Sequence, residues 1–500
     1  MKKLSYIPLL CLAGQPLMAE ERPNVIVFLV DDMGLMDTSL PFLTDKEGNP
    51  VRYPLNDWYR TPNMERMARQ GIRFSTFYAQ SVSSPSRASL MTGQNAARHR
   101  VTNWINTGRN NKGTYGPDNW NWEGLNRNTP TLPKMLQKEG YRTIHIGKTH
   151  FSRLGAEGDN PKNLGFDINI GDVMVGPRSY LGEENYGYSD TTDIHYPKGL
   201  EKYAGTDTFL TEALTVEANK QIDKAVKDKK PFYLYMSHYG VHAPFYTDKR
   251  FIGNYRDSSK SDKAKAYATM VEGVDKSLGD IMRHLEDVGI ADNTLLFFIG
   301  DNGSDAPLGQ EKGYTSSAPL RGKKGTEYEG GMRVPFIACW GKDDKENKWQ
   351  QKLSILPNSV QRQLGTVMDI YPTVLSLLDI QKPACHAIDG YDLAIQLRGK
   401  RNEARPERFL MHFPHAHRGS YFTVYRDGDW KLIYYYNPKL PGRPNYELYN
   451  LKKDPVEICN LATVETERLV EMVKKMAGQL EAEGALYPID ADGNMLKPVI

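Results

Sequence analysis

The chain has 500 residues, 39% hydrophobic and 25% charged, which excludes a disordered or collagen-like polypeptide and suffices for a large core plus a smaller unit. Its 64 basic and 61 acidic residues nearly balance at a formal charge of +3, so composition makes no case for a nucleic acid partner. Any anion must be held by a local cluster.

Residues 1–19 read as a cleavable signal peptide: Lys2 and Lys3, an apolar run over 4–12, the breakers Gly14 and Pro16, and a small Ala19 before Glu20 and Glu21. Leu10, ahead of Cys11, is too large for a lipoprotein cleavage box, so no lipid anchor is expected. No other run reaches the roughly 18 apolar residues of a membrane span. The expected location is periplasmic or secreted. Beyond the peptide stand Cys339, Cys385 and Cys459, an odd number that cannot all pair.

Short apolar runs without polar alternation follow at 24–30, 143–146, 231–236, 294–299 and 334–340. Continuous apolarity of this length predicts strands buried on both faces of a parallel sheet. Helical patterns lie between them, starting at Thr61-Pro62 and Thr131-Leu132-Pro133 and covering 368–378. The clearest has Val271, Val274, Leu278, Ile281 and Leu285 on one stripe, ending near Gly289. Alternating strands and helices predict an α/β sandwich. After about Pro406 the Tyr-rich segments 421–425 and 430–436, joined by Arg426-Asp427-Gly428-Asp429, read as an antiparallel hairpin. A last helix with Leu469, Met472, Val473, Met476 and Leu480 on one face packs back on it. The expected division is a large N-terminal α/β unit over 20–405 and a smaller α+β subdomain over 406–500. The loops at 106–128 and 171–203, rich in Gly, Asn and aromatic residues, are expected to line a binding site.

Polar residues follow the strands directly: Asp31-Asp32, then Gly147-Lys148-Thr149-His150, then Ser237 onward to His242 and Pro244, then Gly300-Asp301-Asn302-Gly303. In open α/β sheets ligands bind beyond the carboxyl ends of strands, so these groups should converge on one crevice. Asp31, Asp32, Asp301 and Asn302 offer oxygen donors only, which selects calcium or magnesium over zinc or copper. Lys148 and His150, two apart in an extended segment, point to one side. Lys324 lies in the glycine-rich stretch Arg321-Gly322-Lys323-Lys324-Gly325-Thr326, where little bulk keeps a ligand away. Together they describe a pocket for a small dianion or ester anion.

The most specific string is Ser83-Ser84-Pro85-Ser86-Arg87-Ala88-Ser89-Leu90-Met91-Thr92-Gly93, a tight turn leading into a helix, with Ser83 placed ahead of the helix N-terminus. It resembles the signature of the formylglycine-dependent sulfatases: Cys or Ser, any residue, Pro, Ser or Ala, Arg. The resemblance extends over nearly all of the mature chain: Asp31-Asp32-Met33-Gly34, Gly147-Lys148-Thr149-His150 (with Thr149 where Trp is commoner), His242-Ala243-Pro244, Gly300-Asp301-Asn302-Gly303, Lys324-Gly325-Thr326 and Glu447-Leu448-Tyr449-Asn450-Leu451.

That resemblance implies an alkaline-phosphatase-like sandwich, mostly parallel, hydrolysing sulfate esters. It implies that a serine-acting maturase oxidises Ser83 to formylglycine, whose hydrate attacks sulfur, and that one Ca2+ is held by Asp31, Asp32, Asp301 and Asn302. Lys148 and Lys324 would neutralise the sulfuryl oxygens, His242 protonate the departing alcohol, His150 take the second hydroxyl proton and Arg87 fix the formylglycine. Sulfated carbohydrate is the expected substrate, with Trp104, Trp120, Trp122 and Tyr180 available to stack on sugar rings. His412, His415, His417 and Arg418 cluster at the subdomain junction, and His415 with Arg418 is expected to contact the sugar. A phosphatase or phosphodiesterase of the same superfamily, or a catalytically inactive sulfated-glycan-binding protein, are the alternatives at this stage.

Overall fold

The computed structural model describes residues 22–172, 176–193, 196–309, 316–443 and 445–500. The expected signal peptide lies outside them. Among the described residues fourteen strands form: β1 Asn24–Val30, β2 Ile72–Phe74, β3 Phe77–Tyr78, β4 Arg142–Gly147, β5 Ile168–Ile170, β6 Phe232–His238, β7 Thr294–Gly300, β8 Phe336–Trp340, β9 Ser359–Gln361, β10 Gly365–Thr366, β11 Arg408–His417, β12 Gly419–Asp427, β13 Trp430–Tyr435 and β14 Asn445–Asn450.

Eight of them build one sheet in the order β5-β4-β6-β1-β7-β8-β2-β9. Its pairings are parallel except where β8 meets β7 and β2. The run over 334–340 is thus a buried strand as expected, but an antiparallel one. Burial on both faces removes the polar alternation of a strand whichever way it runs, so the sequence pattern carries no direction.

Along β1 the side chains alternate between two cores. Ile26, Phe28 and Val30 pack with Met64 and Met67 of helix Pro62–Gln70, Leu214 and Ile222 of helix Leu210–Lys227, and Val271, Val274 and Leu278 of helix Asp262–Asp287. Val25, Val27 and Leu29 pack with Leu90 and Met91 of helix Ser83–Thr92, Leu132 and Leu136 of helix Leu132–Lys138, and Ile370 and Val374 of helix Ile370–Leu377. Each fully buried side chain of this kind contributes roughly 1.5–3 kcal/mol. The sandwich is held by its two faces, and the polar strand ends need not supply stability.

The second sheet runs β11-β12-β13-β14, antiparallel throughout, with Gly428 at positive φ in the β12–β13 turn. One face buries Leu410, Tyr425, Leu432 and Leu448 against Met472, Val473, Met476 and Leu480 of helix Thr466–Glu483. The other buries Phe409, Met411, Phe422 and Val424 against Tyr78, Val82 and Met332. Val82 immediately precedes the helix that begins at Ser83, so this packing buttresses the residue next to the predicted nucleophile.

Candidate active site

Strands β4, β6, β1 and β7 are parallel neighbours. Register places Val30 beside His238 and Gly300, and Gly147 beside Ser237. The next residues, Asp31, Asp301 and Lys148, therefore emerge at one edge of the sheet, as the sequence predicts. Asp32 turns sharply, at φ 59°, a left-handed conformation that Asp adopts more readily than most residues. Its N–H donates to Asp301 Oδ1 at 3.0 Å, which ties the two acidic loops together.

Ser83 is the first residue of helix Ser83–Thr92 and Val82 its N-cap, so the serine sits inside the first turn and not ahead of it. Pro85 fits there because the first turn has N–H groups without helical partners. The Ser83 hydroxyl lies 3.1 Å from Asp31 Oδ1 and 3.2 Å from Asn302 Oδ1 and donates to one or the other. The Asn302 amide NH2 donates to Asp32 Oδ1 at 3.0 Å and to the Gly303 carbonyl at 3.0 Å, which leaves its carbonyl oxygen turned to Ser83.

Arg87, one helical turn on, is fully buried. Its Nε donates to Asp301 Oδ2 at 3.0 Å and its Nη1 to Ser237 Oγ at 2.5 Å and to the Lys148 carbonyl at 3.3 Å. Burial opposes its charge, but Asp301 and then Asp31 more than offset this, so the guanidinium stays protonated. The sequence places Ser237 among the polar strand-end residues but gives it no partner. Its role in holding Arg87 emerges only because register brings the end of β6 beside it.

Lys148 Nζ lies 2.5 Å from Asp31 Oδ2 and Lys324 Nζ 2.7 Å from Asp32 Oδ2. Burial lowers the pKa of Lys148; for Lys324 burial works the same way, but Asp32 overrides it and raises the value. Burial likewise opposes ionisation of Asp32, yet Lys324, His242 and Lys148 together hold its carboxyl well below the usual range. Asp301 goes the other way, up to about 6, driven by burial and then by Asp31. Asp31, Asp32 and Asp301 bring ligand oxygens within 4.8 Å of one another, all buried. A buried oxygen cluster with an acid pushed upward by its neighbour is what a hard divalent cation relieves. With the Asn302 carbonyl oxygen beside them, the residues present fit calcium or magnesium.

The two histidines are held in defined tautomers by their partners. His242 Nδ1 donates to the Ala243 carbonyl at 2.6 Å, leaving Nε2 to face Asp32 at 3.8 Å, and burial lowers its pKa to about 4. His150 Nε2 donates to the Ile105 carbonyl at 2.8 Å, so its buried, unpartnered Nδ1 is an open acceptor. Burial, then Lys148, keeps this ring neutral.

The junction cluster is arranged differently from the sequence expectation. His415 is fully buried, with Nε2 2.8 Å from Thr102 Oγ1 and Nδ1 3.0 Å from the Lys112 carbonyl, so neither nitrogen is left for a sugar. Arg418 pairs with Asp305, Nη2 to Oδ2 at 2.8 Å, and donates to the Lys324 carbonyl at 3.2 Å; it braces the lysine loop. His417 packs against Gly325 of that loop and has a buried, unpartnered Nε2. Period-2 alternation along β11 separates side chains pointing to the two faces, but the irregularity in register between Phe413 and Ala416 breaks the count. Trp120 and Tyr180 are buried too: Trp120 Nε1 donates to Asn110 Oδ1 at 2.7 Å and the Tyr180 hydroxyl to the Tyr239 carbonyl at 2.7 Å. They pack the loops and do not offer a stacking surface.

A buried histidine of this kind has a measurable consequence. Burial pushes His415 down to about 3, so the unfolded chain binds a proton that the folded chain refuses, and stability falls as pH drops below about 6.5. By linkage the native protein should lose about 2 kcal/mol at pH 5 through this residue alone. Chemical denaturation of wild type and His415→Asn at pH 7.5 and pH 5 checks it: the wild type should lose that much more stability than the variant.

The sulfatase family profile matches residues 23–380, and the N-sulphoglucosamine sulphohydrolase C-terminal profile matches residues 323–485. Mouse N-acetylgalactosamine-6-sulfatase is 32% identical over 396 residues, covering 78% of this chain and 68% of its own. A sulfatase from Formosa agariphila is 28% identical, covering 96% and 94% of the two chains. The crystal structure of Ps i-CgsB superposes with a TM-score of 0.73 at 24% identity, over 94% of this chain and 96% of that one. A strand-end cluster of acids, lysines and histidines around Ser83 is thus set in the fold these proteins share, and the chain belongs to the formylglycine-type sulfatases of the alkaline-phosphatase superfamily and is a sulfuric ester hydrolase.

Proposed function

We propose that the protein is an exported glycan O-sulfatase that works through a formylglycine matured from Ser83, with one calcium ion held by Asp31, Asp32, Asp301 and Asn302. The observation that carries this reading is the Ser83 hydroxyl 3.1 Å from Asp31 at the start of a helix, with Arg87 and Lys148 paired to the same Asp31 and Lys324 to the adjacent Asp32. When bound, the cation supplies positive charge that polarises a sulfate oxygen and lowers the pKa of the position-83 oxygen. The aldehyde supplies, as its hydrate, one hydroxyl to attack sulfur and a second whose deprotonation frees sulfate.

The remaining work falls to this chain's own groups. The Lys148 and Lys324 ammonium groups meet the charge that builds on the sulfuryl oxygens, in a buried setting where such contacts are strong. His242 delivers the proton that the departing alcohol needs, from Nε2, since Nδ1 is committed to the Ala243 carbonyl. In the free protein that nitrogen is unprotonated at neutral pH, so the approach of the sulfate anion must raise its affinity for a proton. His150 accepts the final proton at Nδ1, the nitrogen its hydrogen bond to Ile105 leaves open. Arg87 fixes the orientation of residue 83 by bridging Asp301 and Ser237.

The name of the mouse relative supports a sulfated amino sugar as substrate class. His417, flanked by Trp104 at 6.3 Å between ring centroids, is the junction residue that contacts it. Sulfate release from a set of monosulfated monosaccharides that includes 6-sulfated N-acetylgalactosamine tests the function. At least one should be hydrolysed; phosphate esters turned over in place of every sulfate ester would refute the reading. On the preferred substrate His417→Ala should lose about 1 to 3 kcal/mol of transition-state binding.

A further inference from the structure

In the loop after β1, outside the proposed ligand set, lies a fourth aspartate that no basic side chain among the described residues pairs with. Asp37 is fully buried, and its two carboxylate oxygens accept from four donors. Oδ2 takes the Gly34 N–H at 2.8 Å and the Tyr267 hydroxyl at 2.8 Å. Oδ1 takes the Ser304 hydroxyl at 3.0 Å and the Tyr59 hydroxyl at 3.2 Å. Gly34 stands two residues after Asp32, and Ser304 two residues after Asn302. The carboxylate therefore bridges the loop after β1 to the loop after β7, which carry the four oxygen donors of the cluster.

The surroundings make this bridge rigid. The Tyr267 hydroxyl, on helix Asp262–Asp287, also lies 3.3 Å from the carbonyl of Asp32 itself. The loops touch so closely that a Cβ placed on Gly34 would come within 2.5 Å of the Ser304 nitrogen. A buried carboxylate without a cation is costly unless several donors satisfy it, and here every donor belongs either to one of the two loops or to an aromatic residue wedged behind them. Apolar Met33, Leu35 and Met36, all buried, close off water.

We propose that Asp37 is a positioning residue for the cation site: it sets the spacing of Asp31-Asp32 against Asp301-Asn302 by holding Gly34 and Ser304 at once. It touches neither substrate nor the ligand oxygens and acts only through these two loops. The inference rests on the cation-binding reading proposed above. Groups that orient metal ligands typically change metal affinity about 10- to 100-fold when altered, and Asp37 does so one step further out, through the backbones of the loops that carry the ligands.

The test measures calcium affinity of the full chain by competition with a chromophoric chelator, on protein with Ser83 unmodified, so that turnover plays no part. Asp37→Asn, which keeps shape but puts an NH2 donor where one of the two accepting oxygens stands, should raise the calcium Kd about 10- to 100-fold. Ser304→Ala, a milder change that leaves the carboxylate in place, should raise it less. Because Ser304 acts through Asp37, the double variant should bind no more weakly than Asp37→Asn alone. A residue that merely fills the core would lower the melting temperature and leave the Kd of folded protein unchanged. Unchanged Kd in Ser304→Ala and in folded Asp37→Asn, or losses that simply add in the double variant, would overturn the assignment. Should Asp37→Asn not fold, Ser304→Ala decides alone, an unchanged Kd counting against the bridge. Wild-type protein that binds no calcium would instead overturn the cation reading on which the bridge rests, and the same titration reveals it.

Discussion

Ser83→Ala is expected to fold, to bind calcium nearly as wild type does, and to lose sulfate release by roughly ten-thousand-fold or more, because deleting a covalent nucleophile leaves only binding and electrostatic contributions. The fold should survive because among the described residues the hydroxyl makes only two polar contacts, to Asp31 and Asn302, while helix Ser83–Thr92 is anchored by Leu90 and Met91 in the core. Circular dichroism and a sulfate-release assay on the same preparation separate the two effects. A variant retaining a tenth of the activity or more removes position 83 from the chemistry.

Stripping divalent cations by chelation is expected to abolish turnover while leaving both cores intact. The two faces of the main sheet bury their side chains without reference to the acidic loops, so the loss of stability should be confined to the binding linkage. That linkage is worth about 2.7 kcal/mol when the cation is present at one hundred times its Kd. Added calcium should restore activity, and zinc should not, since among the described residues the metal-ligating cluster is made of carboxylates alone, with the His242 imidazole 3.8 Å from Asp32. Stoichiometric zinc in active enzyme, measured by elemental analysis, would contradict the oxygen-donor argument.

What the sequence reveals of this molecule follows from which interactions are local. The apolar runs of β1, β6 and β7 were legible because double-sided burial writes itself into consecutive residues, and the polar groups at their ends were legible because strand ends share an edge once the strands are parallel. The direction of β8 was not, for burial is blind to direction. Helix Asp262–Asp287 shows its stripe from Val271 to Leu285 because helical period and buried face coincide. The sealing of His415 is not legible for a related reason: His415 and His417 share a strand, and only the irregular register after Phe413 and the neighbouring Thr102, Lys112 and Gly325 decide which ring is sealed and which borders the lysine loop. Asp37 left a faint signal, an acid amid Met33, Leu35 and Met36, where a charge has no place unless it is bonded. Its four donors come from segments up to 267 residues away, which no local pattern encodes.

The central claim is the aldehyde at position 83, and the most direct measurement is the mass of the proteolytic peptide that contains it, taken from enzyme whose sulfatase activity has been recorded. Active protein should carry the peptide lighter by a pair of hydrogens, the change from serine to formylglycine, and the modified fraction should scale with activity between preparations and hosts. Fully active enzyme in which residue 83 is intact serine would contradict the account.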